Sequence, residues 1–62
     1  MQDVEITLTL PADQAEALAE MAKRFSWSDA DQLAADDREA RLIVSAVTAL
    51  QAALRERGFA PR

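Results

Sequence analysis

Five carboxylates lie close together in the middle of the chain, and they are the residues whose types and spacing suit a chemical role. The cluster consists of Asp29, Asp31, Asp36, Asp37 and Glu39, with Arg38 as its only basic neighbour. Carboxylates can hold a hard cation, work as an acid and base pair, cap helices, or meet Lys and Arg of a partner. Each use makes a different demand on the residues around the cluster.

The metal and catalytic uses lack the accompanying residues that they need. Asp29 and Asp31 resemble the start of a calcium-binding loop, but the glycine and the later glutamate of such a loop are missing. The chain contains no His, no Cys and one Gly, so the commonest general base and the commonest transition-metal ligand are absent. We therefore predict a protein that is not an enzyme and that has no metal and no cofactor.

The two remaining uses are helix capping and partner binding. Capping alone accounts for Asp31, Asp36 and Glu39. The cluster as a whole favours a face that binds basic side chains of another protein, and two further acids near the N-terminus form a second patch. The predicted partner-binding residues are Asp29, Asp31, Asp36, Asp37, Glu39, Asp3 and Glu5.

Size and charge limit the possible partners. The chain has 62 residues and a net charge of −4, which predicts one small domain over residues 1–62 with a core that is marginal for a monomer. An acidic chain repels nucleic-acid phosphates and favours basic proteins. No signal peptide and no membrane-spanning apolar run are visible. We therefore expect a cytoplasmic protein that binds neither nucleic acid nor membranes.

The strongest structural signal is a helix over residues 36–58. Apolar residues recur there every three or four positions, as on one side of an α-helix. Asp36 suits the N-cap, Glu39 completes a capping box, and Gly58 suits the left-handed position after the last turn. The apolar rows are Leu42, Ala46, Leu50 and Leu54, with Ile43 and Val47 beside them.

A second principal helix is predicted over residues 12–25, with Ala15, Leu18, Ala22 and Phe25 on its apolar side and Met21 beside them. Residues 26–35 form the connector, in which Ser28 and Asp31 are a cap-like pair for a short helical turn. The corner falls at residues 26–28. Trp27 is expected to fill the core, with a binding hot spot as the alternative.

Residues 4–10 alternate apolar and polar side chains, which predicts a half-buried β-strand. A strand needs a neighbour for its backbone hydrogen bonds. Pairing with the same strand of a second copy, or with a partner's sheet edge, would supply one, and an extended arm lying on the helices is the alternative. The predicted fold is mostly α, a self-associating β-α-α chain with one N-terminal strand, two principal helices and a short helical turn between them.

Residues 6–25 resemble the ribbon-helix-helix regulators, in which a strand, Leu-Pro and an amphipathic helix follow in this order, here at Leu10 and Pro11. That resemblance implies an intertwined dimer whose paired strands enter the DNA major groove. The resemblance makes a dimeric transcriptional regulator or an antitoxin the alternative function. The outward positions Glu5, Thr7 and Thr9, however, differ from the basic or amide residues that the family usually carries there.

More of the chain is similar to short uncharacterised proteins of proteobacterial plasmids, phages and integrative elements. Residues 8–29, the acids at 36, 37 and 39, and the ending GFAPR carry this likeness. It implies a mobile-element context, in which small acidic proteins such as anti-CRISPR proteins inhibit host defence by imitating nucleic acid. The expected function is a small acidic protein-binding module, in its specific form an inhibitor that covers a basic nucleic-acid-binding surface, for example of a CRISPR effector subunit.

Overall fold

The computed structural model describes residues 2–59 and contains three helices in that range. These are α1, Ala12–Arg24, α2, Trp27–Leu33, and α3, Asp37–Glu56. Both α1 and α2 pack on α3, so α3 is the helix around which the fold is organised. Met1 and residues 60–62 lie outside the described residues, and with them the last part of the GFAPR ending.

Helix α3 has the ends that the sequence predicts, with one difference in the capping box. The Asp36 carboxylate accepts a hydrogen bond from the backbone N–H of Glu39 at 2.8 Å. The Glu39 carboxylate, however, accepts from the N–H of Ala35 at 3.1 Å and not from that of Asp36. At the other end Gly58 has a φ of 88°, in the left-handed region where glycine is favoured.

Helix α2 begins two residues earlier than predicted. Its N-cap is Ser26, which forms a reciprocal capping box with Asp29, whereas the sequence pointed to Ser28 and Asp31. Both pairs have the Ser-x-x-Asp spacing of a capping box, so the spacing alone does not separate them. As a result Trp27 is the first residue of α2 and not part of a corner.

The core of the described residues consists of alanines. The buried apolar residues are Ala15, Ala19, Ala22, Ala30 and Ala40. The larger side chains expected in the core lie at its edge: Leu18 and Phe25 are partly buried, whereas Met21 and Leu42 are exposed. Small side chains allow helices to approach closely, and the larger residues then lie beside the contact and not within it.

The prediction of an N-terminal strand is wrong. Residues 2–10, which we call the N-terminal arm, contain no strand, and neither does the rest of the described chain. The alternation of residues 4–10 correctly marks a pattern of side chains, but a strand also needs hydrogen bonds to a neighbouring strand. The three helices offer none, so the β-α-α architecture is replaced by three helices preceded by an arm.

Within residues 2–59, no helix combines the length and the apolar character needed to cross a membrane.

Candidate functional site

The structure places the five central carboxylates around the connection between α2 and α3. Asp29 and Asp31 lie in α2, Asp36 is the N-cap of α3, and Asp37 and Glu39 lie in its first turn. All five residues are exposed. We call residues 29–39 the acidic segment. Its charge follows from local folding, because acids are favoured in the first turn of a helix, where the helix dipole is positive.

Three of these carboxylates have fixed positions because each accepts a backbone hydrogen bond. Asp29 uses Oδ2, Asp36 uses Oδ1 and Glu39 uses Oε1. Within the described part of the chain, the second oxygen of each carboxylate has no hydrogen-bond donor. The capping bonds therefore hold the side chains in place and leave one acceptor oxygen on each for a partner.

The acidity of Asp29 is changed by its hydrogen bonds to Ser26. The backbone N–H of Ser26 donates to its carboxylate at 2.9 Å and lowers the pKa of Asp29 below the ordinary value of 3.8. The Ser26 hydroxyl, also at 2.9 Å, lowers the pKa further. Hydrogen bonds to the ionised form favour that form, so Asp29 keeps its negative charge in more acidic solution.

The other two carboxylates of the acidic segment, Asp31 and Asp37, form no hydrogen bond and no ion pair with any residue between 2 and 59. The ion pair found in that range lies on α1, where Arg24 and Glu20 are 3.5 Å apart. Arg38 is adjacent in sequence to Asp37 and Glu39 but forms a salt bridge with neither. Asp31 and Asp37 are therefore available to a basic partner.

The carboxylates do not form a metal-binding group. Among the described residues, no three acidic side chains come close enough together to hold a metal ion. The acids are spread along α2 and the start of α3, and their side chains do not converge on a common point. Such an arrangement suits several separate ion pairs across a protein surface.

Two large apolar side chains flank these charges on α2. Trp27 is 50 % exposed and Leu33 is 71 % exposed. The prediction that Trp27 fills the core is therefore wrong. Trp27 and Asp31 are one helical turn apart and therefore lie on the same side of α2. An exposed Trp beside a carboxylate is a favourable site for an Arg or Lys side chain.

The second predicted patch, Asp3 and Glu5, lies on the N-terminal arm, on a different segment from the other five acids. Both residues are exposed. They alternate with Val4 and Ile6, which are 80 % and 83 % exposed. The arm therefore presents both charge and apolar surface, and we treat it separately from the acidic segment.

A groove between the arm and α1 was missed by the sequence reasoning. Its lining is almost entirely apolar and comprises Leu8, Leu10, Gln14, Ala17, Leu18 and Met21. The sequence pattern placed Leu18 on the apolar side of the helix, Met21 beside it, and Leu8 within a half-buried strand. The available signal was the row of alanines at 15, 19 and 22, whose spacing marks the face of α1 that is buried.

Comparisons with known proteins identify a family for the chain. No curated protein and no solved structure matches it. The sequence does match the model of one protein family along residues 1–62, and the chain therefore belongs to that family, which is described as a family of unknown function (DUF7706).

Proposed function

We propose that the protein is a non-enzymatic module that uses the acidic segment to bind a basic surface of another protein. The observation that carries this proposal is the state of the five carboxylates. All are exposed, and none forms a salt bridge with a residue of the described chain. Unpaired surface charges of one sign attract a partner of opposite sign and set the orientation in which it binds.

The capping bonds support the proposal because they fix the acids before binding. Ordering a flexible side chain on association costs about 0.5–1.5 kcal/mol. Asp29, Asp36 and Glu39 are already held by backbone N–H groups, so little of this cost remains for them. A partner with Lys or Arg at matching positions gains ion pairs without first ordering these carboxylates.

Exposed apolar residues supply the other part of such an interface. Binding energy in protein interfaces is concentrated in a few residues, among which Trp and Arg are common. Trp27 and Asp31 offer an aromatic face and a carboxylate on the same side of α2, a combination that suits one Arg of the partner. Leu33 extends the apolar surface at the end of the same helix.

The specific form of this proposal is an inhibitor that covers a nucleic-acid-binding surface. Such surfaces are basic, because they must neutralise phosphates, and an ordered row of carboxylates competes for the same Lys and Arg side chains. An anti-CRISPR protein that occupies an effector subunit would act in this way. The regulator alternative has less support, because its paired strands require a strand that the N-terminal arm does not contain.

The proposal is tested by neutralising the two acids that have no capping role. Wild-type chain serves as bait for a host lysate, the captured proteins are identified by mass spectrometry, and the leading basic protein is purified. Its dissociation constant is then measured for wild type and for the double variant Asp31→Asn and Asp37→Asn. We expect roughly tenfold weaker binding by the variant, since each lost ion pair contributes up to about 1 kcal/mol.

A matched control removes the same amount of charge elsewhere. The double variant Glu16→Gln and Glu56→Gln also removes two negative charges, at exposed positions of α1 and α3. We expect it to bind almost as tightly as wild type. Equal loss in both variants would show that only net charge matters, and tight binding of duplex DNA at about 0.15 M ionic strength would overturn the proposal.

A further inference from the structure

The buried core of the described residues is small for a monomer of this length. Its buried apolar residues are all alanines, and no larger side chain is fully buried. Burying a Val, Leu, Ile, Phe or Met side chain contributes about 1.5–3 kcal/mol, and an Ala contributes much less. The chain also has no cysteine, so a disulfide does not compensate, as it often does in domains of this size.

The exposed surface leads to the same conclusion. The chain exposes 5263 Å², whereas a folded monomer of 6.8 kDa typically exposes about 4,000 Å². The difference is roughly 1,300 Å². Each partner in a standard protein interface buries about 800 Å². The excess is therefore large enough to supply one side of a stable dimer interface.

Four of the seven large apolar side chains that are exposed lie on the N-terminal arm or beside it on α1. Val4, Ile6 and Leu8 are 80 %, 83 % and 63 % exposed. Leu8 also lines the groove, together with Leu10, Leu18 and Met21. Since Val4 and Ile6 have the same parity as Leu8, they continue its apolar side along an extended chain. The arm and the groove thus form one apolar surface, which we call the arm–groove surface.

We infer that the arm–groove surface is covered by the same surface of a second copy of the chain. The surface contains both a shallow, open groove and an apolar arm beside it. Two copies related by a two-fold axis bring identical patches together, so Val4 and Ile6 of each copy can enter the groove of the other. Both contacts then form at once, and each copy completes the core of its partner. This inference is independent of the acidic segment.

The charge around this surface gives the dimer a distinctive salt dependence. Residues 2–24 contain five acids, Asp3, Glu5, Asp13, Glu16 and Glu20, and two bases, Lys23 and Arg24, of which Arg24 pairs with Glu20. A two-fold contact brings together two such stretches of net negative charge, and salt weakens their repulsion. Self-association should therefore strengthen as salt is added, whereas binding of a basic partner to the acidic segment should weaken. The two proposals can fail separately.

The first experiment measures the mass of the full chain by sedimentation equilibrium over a wide range of concentrations. We expect twice the 6.8 kDa of one chain, with tighter association at about 0.5 M than at about 0.05 M ionic strength. The melting temperature should also rise with chain concentration, as it does when folding and association are coupled. A monomer at every concentration, with a constant melting temperature, would overturn the inference.

The second experiment compares two single variants, each of which adds one negative charge to a different side of the arm. Ile6→Glu puts an unpaired carboxylate into the interface and should weaken dimerisation by roughly a hundredfold. Thr7→Glu adds the same charge at the neighbouring position, which has the opposite parity, and should weaken it by less than about tenfold. Equal dissociation constants for the two variants would place the interface elsewhere. The concentration dependence of the wild-type melting temperature decides the matter if Ile6→Glu does not fold.

A third experiment tests whether the arm of one copy reaches the groove of the other. The chain contains no cysteine, so single cysteines can be introduced without background. Chains carrying Ile6→Cys are mixed with chains carrying Gln14→Cys and oxidised, and the cross-linked mixed dimer should dominate. Ile6→Cys mixed with Ser45→Cys, an exposed position of α3, should give little mixed product. Similar yields in the two mixtures would contradict the arm-in-groove arrangement.

Discussion

Ser26 donates two hydrogen bonds to the same carboxylate oxygen of Asp29. The backbone N–H and the side-chain hydroxyl each reach Oδ2 at 2.9 Å, and the Asp29 N–H returns a longer bond of 3.3 Å to the Ser26 Oγ. This pair begins α2 and also orients the first carboxylate of the acidic segment. The same contact therefore serves the fold and the proposed binding surface. Because it lowers the pKa of Asp29, a titration of that carboxylate shows whether the contact is formed.

The first prediction concerns stability in acid. The Ser26 hydrogen bonds lower the pKa of Asp29 in the folded chain below 3.8, so ionised Asp29 stabilises the folded state above about pH 3.8. That contribution is lost as the pH falls through the lowered pKa. Asp29→Asn should therefore unfold with a weaker pH dependence than wild type, measured by urea denaturation from about pH 5 to about pH 2.

Ser26→Ala separates the two hydrogen bonds. It removes the hydroxyl but keeps the backbone N–H, which has the larger effect on the pKa of Asp29. In an NMR titration the pKa should rise in this variant and still remain below 3.8. A pKa that does not change in Ser26→Ala would show that the side-chain contact is not formed in solution.

The second prediction concerns the end of α3. Phe59 N–H donates to the Leu54 carbonyl at 2.9 Å, and Gly58 N–H donates to the Arg55 carbonyl at 3.0 Å, the two bonds of a Schellman motif. Gly58 has a φ of 88°, and nothing lies within 4 Å of where a Cβ would be. Gly58→Ala should therefore cost about 1–2 kcal/mol through the backbone alone.

Thermal unfolding at constant chain concentration measures this cost. A loss of 1 kcal/mol corresponds to a decrease of about 4–8 °C in a domain of this size. Gly58→Asn is the control, since Asn adopts the left-handed conformation more readily than Ala, and it should lose less. If Ala and Asn behave alike, the left-handed turn is not the source of the effect.

The parts of the structure that were predictable from sequence are those decided by neighbouring residues. Asp36 and Gly58 mark the ends of α3 through contacts within a few residues, and such contacts leave a clear pattern. The start of α2 was harder, because Ser26 with Asp29 and Ser28 with Asp31 follow the same local rule. The start of α2 also depends on how the helix packs on α3, and the spacing of Ser and Asp in the sequence does not show this packing.

The strand and the core depended on distant residues and were therefore predicted less well. Alternation in residues 4–10 describes side chains but says nothing about a neighbouring strand. The apolar rows suggested a core of Leu and Phe, whereas Ala30 and Ala40 are the residues with no exposed surface. The acidic segment was predictable as a cluster of charges. Its capping bonds and the arm–groove surface became visible only with the helices in place.

The third prediction tests the alanine core. Ala40 is completely buried in α3, so Ala40→Leu should be destabilising by about 1–3 kcal/mol, because the added atoms have no space in a close helix contact. Ala49→Leu makes the same change at an exposed position of α3 and should alter the free energy of unfolding by less than about 0.5 kcal/mol. Urea denaturation of both variants gives the comparison. Equal stability of the two would mean that α3 does not use Ala40 for close packing.

The last prediction uses Trp27, the only tryptophan, to separate the two interfaces. Trp27 is 50 % exposed and lies in α2 beside Asp31, whereas the residues that line the groove come from the arm and α1. Dimerisation through the arm–groove surface should leave its acrylamide quenching unchanged over the concentration range in which the mass doubles. Binding of the purified basic partner should reduce the quenching, because that contact covers α2. Quenching that falls with self-association alone would place Trp27 in the dimer interface, and the acidic segment would then not be free for a second protein.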